Sequence, residues 1–393
     1  VIYRAYPDES PVLSGGMVIS NWTVHDAEKN IYKATTHGGE FRQVYIDDRP
    51  AIRSRTPNRK SEDHFGPYWS LAGLNYSIRQ IELNEPQASA LDGIPNLEEV
   101  EMVLLSHWYQ QRLKVGRFTR SDSGATFHPV NPGIKFNKRE YFYTGSGSGS
   151  NFYFENALSF VDAPNEWYHD RFTSTLYLCV EPGIDPNSQT VTVPVADSLI
   201  TISGTASKPV ENLTFELLTL EVTNWTSPSR IGLNITQFAQ PVGVSNAWNS
   251  PDYPTGIIRA RHARSLVIRG NLIRNAGAHG IQFHTNVDQS RISGNTLIDI
   301  AANGIEIDAH AARNPSPDIQ STDVVISNNL IVRCGQNYSN GGALLAHNVR
   351  RLIFEQNEVH HMPYSGIQVG NQPGAGPLTD IGCGDNLIRG NYI

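Results

Sequence analysis

Glu306 and Asp308 stand two residues apart in the segment NGIEID. On an extended strand that spacing puts two carboxylates on one face, with about 6.5 to 7 Å between their α-carbons. Flexible side chains on such a spacing reach either of the separations at which paired carboxyl groups cleave a glycosidic bond, about 5 to 5.5 Å with retention or about 6.5 to 9.5 Å with inversion. One group protonates the leaving oxygen, and the other attacks or activates water. Two like charges held so close also push one pKa upward, which a general acid requires. From the sequence, Glu306 is expected as the acid and Asp308 as the base or nucleophile, with no metal or organic cofactor needed. Calcium-dependent lysis would want three or four clustered acidic residues, and phosphate-loop, HExxH and GxSxG motifs do not occur.

Several polar and aromatic residues are expected to contact a substrate beside this pair. Gln282 and His284 occupy the equivalent positions 24 residues earlier, in HGIQFH. His310 and His347 lie just past the ends of neighbouring strands. Arg261, or Arg259, flanks the pair from the preceding copy. Trp248, in a long loop with four prolines between Thr223 and Thr255, could stack on a sugar ring. His279 reads as a corner residue. The competing readings are ordinary hydration for the outward strand residues, surface or coil-end positions for the histidines, and core or lid packing for Trp248.

The elements that must position these residues are repeats. From Ser265 onward the chain reads SLVIRGNLIRNAGAHGIQFH, QSRISGNTLIDIAANGIEID, TDVVISNNLIVRCGQ, RRLIFEQNEVHHMPYSGIQV and DNLIRGNYI, with Asn271 and Asn295 24 apart and later intervals of 34, 28 and 34. Apolar residues alternate with polar ones at period two, and Gly or Asn marks each corner, so each copy predicts two or three short strands. Such a repeat predicts a right-handed parallel β-helix, a solenoid of stacked coils whose asparagine amides bond from one coil to the next. Asn271, Asn295 and Asn329 are expected to take left-handed backbone angles at the bends. Aligning the Gly-Ile steps makes Ile281, Phe283, Ile305, Ile307, Ile367 and Val369 point inward. It puts Gln282, Glu306, Leu344 and Gln368 in one outward row, and His284, Asp308, Ala346 and Gly370 in the next, on an open shelf.

Upstream, residues 1–23 read as early strands of the same helix, 24–183 as an inserted antiparallel β-sandwich or barrel with an aromatic core (Trp69, Trp108, Tyr109, Phe152, Phe154 and Trp167), and 184–393 as the main body of coils. Helical turns are expected only at FENALSFV. Both the start, VIYRAYPDESP, and the finish, GNYI, fall within coils, so the sequence reads as a segment without its natural ends. A formal charge of −7 with 31 scattered Lys and Arg argues against nucleic acid as a partner, and no apolar run approaches the roughly 20 residues that span a bilayer. Three well-separated cysteines read as free thiols. Oligomeric state stays open.

The segments VIYRAYPDESPVLSGGMVISNW, FRQVYIDDRPAIRSRTPN and, most specifically, NEWYHDRFTSTLYL, together with the terminal GN coils, resemble carbohydrate-active β-helix proteins close to glycoside hydrolase family 141. That family includes fucosidase- and xylanase-type enzymes. The resemblance implies a β-helix bearing an inserted β-sandwich, a secreted or periplasmic setting, a glycan substrate, and hydrolysis by two carboxylates. Two rivals remain: a lyase or epimerase acting on uronic-acid glycans, with Arg261 as a possible base, and a glycan-binding β-helix without catalysis. Six sequons (Asn21, Asn75, Asn212, Asn224, Asn234 and Asn337) favour secretion only weakly.

Overall fold

Strand after strand, the C-terminal half of the chain visits three parallel sheets in rotation. The computed structural model describes residues 1–37, 39–60, 66–75, 78–106, 109–130, 150–241, 245, 247–308, 319–370 and 383–393, and among them it is all-β apart from short helical turns. The first sheet takes Ile2–Arg4, Thr214–Glu216, Val267–Arg269, Arg291–Ser293, Val325–Ser327, Ile353–Glu355 and Leu387–Arg389. The second takes Val12–Ser14, Thr219–Glu221, Leu272–Arg274, Thr296–Ile300, Leu330–Cys334 and Glu358–His360. The third takes Ile200–Ser203, Gly256–Arg264, His279–Asp288, Ile305–Ile307, Leu344–Ala346 and Ile367–Val369. Each sheet turns one row of β-branched and aromatic side chains inward, and Ile268, Ile292, Ile326, Phe354, Ile281, Phe283, Ile305 and Ile307 meet there in one continuous buried core.

The corners explain the Gly-Asn and Asn-Asn steps. Asn271 donates from its amide to Asn295 Oδ1 (3.0 Å), Asn295 to Asn329 (3.0 Å), Asn329 to Asn357 (2.9 Å) and Asn357 to Asn391 (3.1 Å). The same oxygens also accept the backbone N–H of the asparagine one coil earlier. The expected left-handed angles fall one residue earlier than anticipated, at Gly270, Gly294, Asn328, Gln356 and Gly390. The asparagine must keep an ordinary backbone to aim its amide along the stack, so its predecessor makes the bend.

The insert leaves the first coil between its second and third strands. Its two ends pair antiparallel as a stalk, Gly16–Ile19 with Val191–Pro194. Beyond the stalk, one antiparallel sheet (Trp69–Ser70, Asn151–Glu155, Glu101–Ser106, Tyr109–Lys114) shares a core with another (Gly73–Asn75, Gln80–Asn84, Gly124–Phe127, Phe118–Ser121). Phe152, Phe154 and Phe127 fill that core, whereas Trp167 belongs to a separate cluster with Phe41 and Leu178 nearer the stalk. Trp108 lies outside the described residues.

The second coil interrupts at the same corner, between Glu221 and Gly256. That loop is partly regular: a helical turn at Ser227–Ile231, which the sequence reading missed, then a strand, Leu233–Thr236, that adds antiparallel to Tyr109–Lys114 of the insert. Insert and coils are thereby stitched together. All three cysteines are free, with Cys179 and Cys334 buried and Cys383 half-buried.

Candidate active site

The third sheet carries the candidate carboxylates on its outward face, where register places Arg259 beside Gln282, Gln282 beside Glu306, Glu306 beside Leu345 and Leu345 beside Gln368. The outward member of the fifth coil is therefore Leu345, not the expected Leu344, which faces the core. Nor is the face an open shelf. Glu306 is 1% exposed and Asp308 0%, and the loop of the second coil brings Tyr253, itself buried, onto Glu306, with Trp248 buried beside it.

Beneath that roof Glu306 is held on every side. Its Oε2 lies 2.5 Å from His279 Nε2. The Tyr253 hydroxyl donates to Oε1 at 3.2 Å, and Gln282 Nε2 donates to the same oxygen at 3.4 Å and to the carbonyl of Pro254 at 2.9 Å. His279 Nδ1 accepts the backbone N–H of Asn303 at 3.2 Å, so Nε2 is the ring nitrogen that faces Glu306. Burial by itself pushes the Glu306 carboxyl up, but His279, His284 and Gln282 more than offset it, so the group sits below the ordinary carboxylate range.

Asp308 behaves oppositely. Ile307 ends the strand, and Asp308 turns out of it with φ +45°, so the two carboxylates do not share one extended ribbon as expected. Its Oδ2 accepts the backbone N–H of Ser321 at 2.6 Å, while its Oδ1 is buried with no hydrogen-bond partner among the described residues. Burial raises its pKa well above the ordinary value; the Ser321 bonds offset only part of this, and Asp288 and Glu306 push it further up. No arginine among the described residues pairs with it, so its neutral form is favoured.

The remaining expected contacts divide. His284 faces Trp248 and Tyr253 edge-on, at 5.4 and 6.1 Å between ring centroids, and its Nδ1 is 2.7 Å from Thr285 Oγ1. Trp248 is sandwiched, with the Arg259 guanidinium 3.7 Å from its ring centroid and Arg261 at 5.0 Å. Arg259 also donates to the Trp248 carbonyl at 2.5 Å, while Arg261 donates to Ser203 Oγ at 2.9 Å. His347, also buried, lies 3.1 Å from the Gln368 amide, and its backbone N–H bonds to Ile307. His310 falls outside the described residues. Two residues the sequence reading undervalued are the nearest neighbours of Glu306. His279 read as a corner, and Tyr253 drew no notice within PDYP, although an aromatic hydroxyl between two prolines in a long loop is a signal of fixed placement.

Comparison with known proteins gives three findings. Residues 26–180 match the family model of the GH141 insertion domain. The fold matches the solved structure of a protein named "Glycoside hydrolase" with a TM-score of 0.82 at 23% identity, over 94% of this chain and 67% of that one. A second solved structure, "The complex structure of XylC with xylose", aligns at a TM-score of 0.48 and 15% identity, over 99% of this chain and 53% of that one. A comparison with curated sequences gives no match. The chain is thus GH141-like: a GH141 insertion domain carried on parallel-sheet coils that share the fold of a glycoside hydrolase.

Proposed function

We propose that this protein is a glycoside hydrolase built on a right-handed parallel β-helix, with Asp308 as general acid and Glu306 as the ionised partner. The insertion domain and the fold neighbour support the hydrolase class. The rotation of strands through three parallel sheets supports the helix. One observation carries the site assignment: two buried, electrostatically interacting carboxylates are driven in opposite directions, Asp308 up and Glu306 down. That split is what an acid and a base or nucleophile need at a common pH. The order of roles is the reverse of the one expected from the sequence.

In this reading Asp308 passes its proton to the glycosidic oxygen as the carbon–oxygen bond breaks. Glu306 either attacks the anomeric carbon or takes a proton from the attacking water, and Asp308 is reprotonated as the cycle closes. His279 and Tyr253 hold Glu306 in place through their N–H and O–H groups. The Trp248–Tyr253 roof must lift for a glycan to enter, and its closure over the bound sugar would exclude water. Gln282, His284, Arg261, His347 and Trp248 are the proposed sugar contacts. We place the protein outside the cytoplasm, where such glycans are met; of its six sequons, Asn21, Asn75 and Asn212 are exposed and open to modification.

The test is release of reducing ends from a panel of plant and microbial polysaccharides. Asp308→Asn and Glu306→Gln should each lower kcat by about 10² to 10⁴. Undiminished turnover in both variants sinks the assignment, and unsaturated products absorbing in the ultraviolet would show a lyase instead.

A further inference from the structure

Where the insert meets the coils there is a cavity of about 380 Å³, lined by none of the residues of the site above. Its walls come from both modules: Gln43 to Tyr45, Arg49 to Arg53 and Tyr153 from the insert, Asp299, Arg333 and Asn337 from the coils. Six arginines line it, at 49, 53, 55, 59, 112 and 333, against the two carboxylates of Glu155 and Asp299. Among the described lining residues arginines thus outnumber carboxylates, in a chain whose net charge is −7. A local field of that sign inside an acidic protein selects anions.

The arginines are fixed in place. Asp299 grips Arg333 with two bonds of 2.7 and 2.8 Å. Glu155 holds Arg53 at 3.2 Å and also pairs with Arg112, whose other nitrogen donates to the Asn337 carbonyl at 2.8 Å. Arg55 lies 3.7 Å above the Tyr153 ring. Arg49 stands exposed at the rim and makes no ion pair among the described residues. Guanidinium forks held this way suit a planar or tetrahedral oxyanion.

A second feature points to a polyhydroxyl ligand and not to a bare ion. Gln43 lines the cavity, is 5% exposed, and neither its Oε1 nor its Nε2 has a hydrogen-bond partner among the described residues. An amide donor and acceptor side by side match a pair of ring hydroxyls. The volume falls within the usual range of small-ligand sites.

We infer that this cavity binds an acidic sugar unit, a ring bearing a carboxylate or a sulfate ester, at a point away from Glu306 and Asp308. The ligand class rests on the glycan reading above; the preference for an anion does not. The site would select charged stretches of polysaccharide and hold them while a neighbouring bond is cleaved.

The experiment is calorimetric titration of the whole chain at pH 7 with trigalacturonic acid, a sulfated trisaccharide, a neutral trisaccharide of equal length and inorganic sulfate. At least one of the two acidic trisaccharides should bind, and which one does identifies the anion. Affinity should fall with salt, and by tenfold or more in Arg49→Glu, whose exposed side chain can be reversed without breaking an ion pair. Gln43→Ala should weaken the acidic trisaccharide several-fold and leave inorganic sulfate unchanged. Glu306→Gln should bind as the parent does, so loss of hydrolysis with retained binding condemns the catalytic reading alone. Equal binding of the neutral trisaccharide, no effect of Arg49→Glu, or inorganic sulfate binding as tightly as the sugars would overturn the inference.

Discussion

Two buried clusters of charge lie in this molecule, and they are built on opposite principles. In the insert, Glu101 and Glu155 are wrapped by Arg42, Arg53 and Arg112, with Arg42 reaching Glu101 at 2.7 and 2.8 Å. Burial disfavours the Glu101 charge, but the three guanidinium groups reverse that and hold it far below the ordinary range. In the coils, the donors to Glu306 among the described residues are neutral or weakly basic, and Asp308 is bonded by Ser321. Where charge is overcompensated, the carboxylates serve to join elements; Arg42 also bonds Ser229 of the roof loop at 2.5 Å. Where it is undercompensated, the two carboxylates are pushed in opposite directions. The proposed proton transfer draws on that second arrangement.

Substitution sharpens the contrast. The largest effect should be on turnover, where Asp308→Asn loses about 10² to 10⁴ in kcat but stays folded, because the amide can still accept from Ser321. Glu101→Gln should do the reverse. It strands buried guanidinium groups and costs about 3 to 5 kcal/mol by denaturant titration, with activity per folded molecule unchanged.

Next in size is the pH dependence of stability. The folded pKa of Asp308 lies above the roughly 3.9 of an unfolded aspartate, so the native state keeps a proton the unfolded chain has released. Its contribution therefore declines as pH rises from about 4. Glu306 lies below the roughly 4.3 of an unfolded glutamate, so its contribution is present above that pH and disappears as pH falls. Asp308→Asn should accordingly raise Tm at pH 7 by a margin that closes toward pH 4. Glu306→Gln should instead flatten the acid limb. Parallel Tm profiles for the two variants would refute the split.

The smallest effect belongs to the asparagine ladder. Asn329→Ala removes the acceptor of both the Asn295 backbone N–H and its amide, leaving buried donors unmet at about 1 to 3 kcal/mol. Asn391→Ala, at the less buried end of the stack, should cost less in the same thermal melts.

The ladder shows why so much of the architecture was legible. Period-two alternation and recurring Gly-Asn steps are local, and each coil needs only its neighbours, so Ile281, Phe283, Ile305 and Ile307 could be placed in the core from spacing alone. The site was legible only up to the strand. Glu306 is set by register and could be found. Its partners Tyr253 and His279 come from a loop and from the first residue of the strand His279–Asp288 rather than the expected corner, and no repeat predicts how a loop folds back. Asp308 was identified but misplaced, because a left-handed turn after Ile307 leaves no trace in alternation. The Leu344 alignment failed for a similar reason: the two adjacent glycines, Gly341 and Gly342, shift the Gly-Ile step by one residue.

The strand Leu233–Thr236 has a mechanical corollary. It is hydrogen-bonded into the insert through Gln110, Gln111 and Arg112, yet it belongs to the loop that roofs Glu306. The root of that roof is therefore clamped to the other module, and only the stretch nearer Tyr253 is free of the clamp. A tilt of the insert against the coils would pull on the cover directly, like a hand on a hinged shutter, so whatever seats the insert also sets how readily the carboxylates meet a sugar.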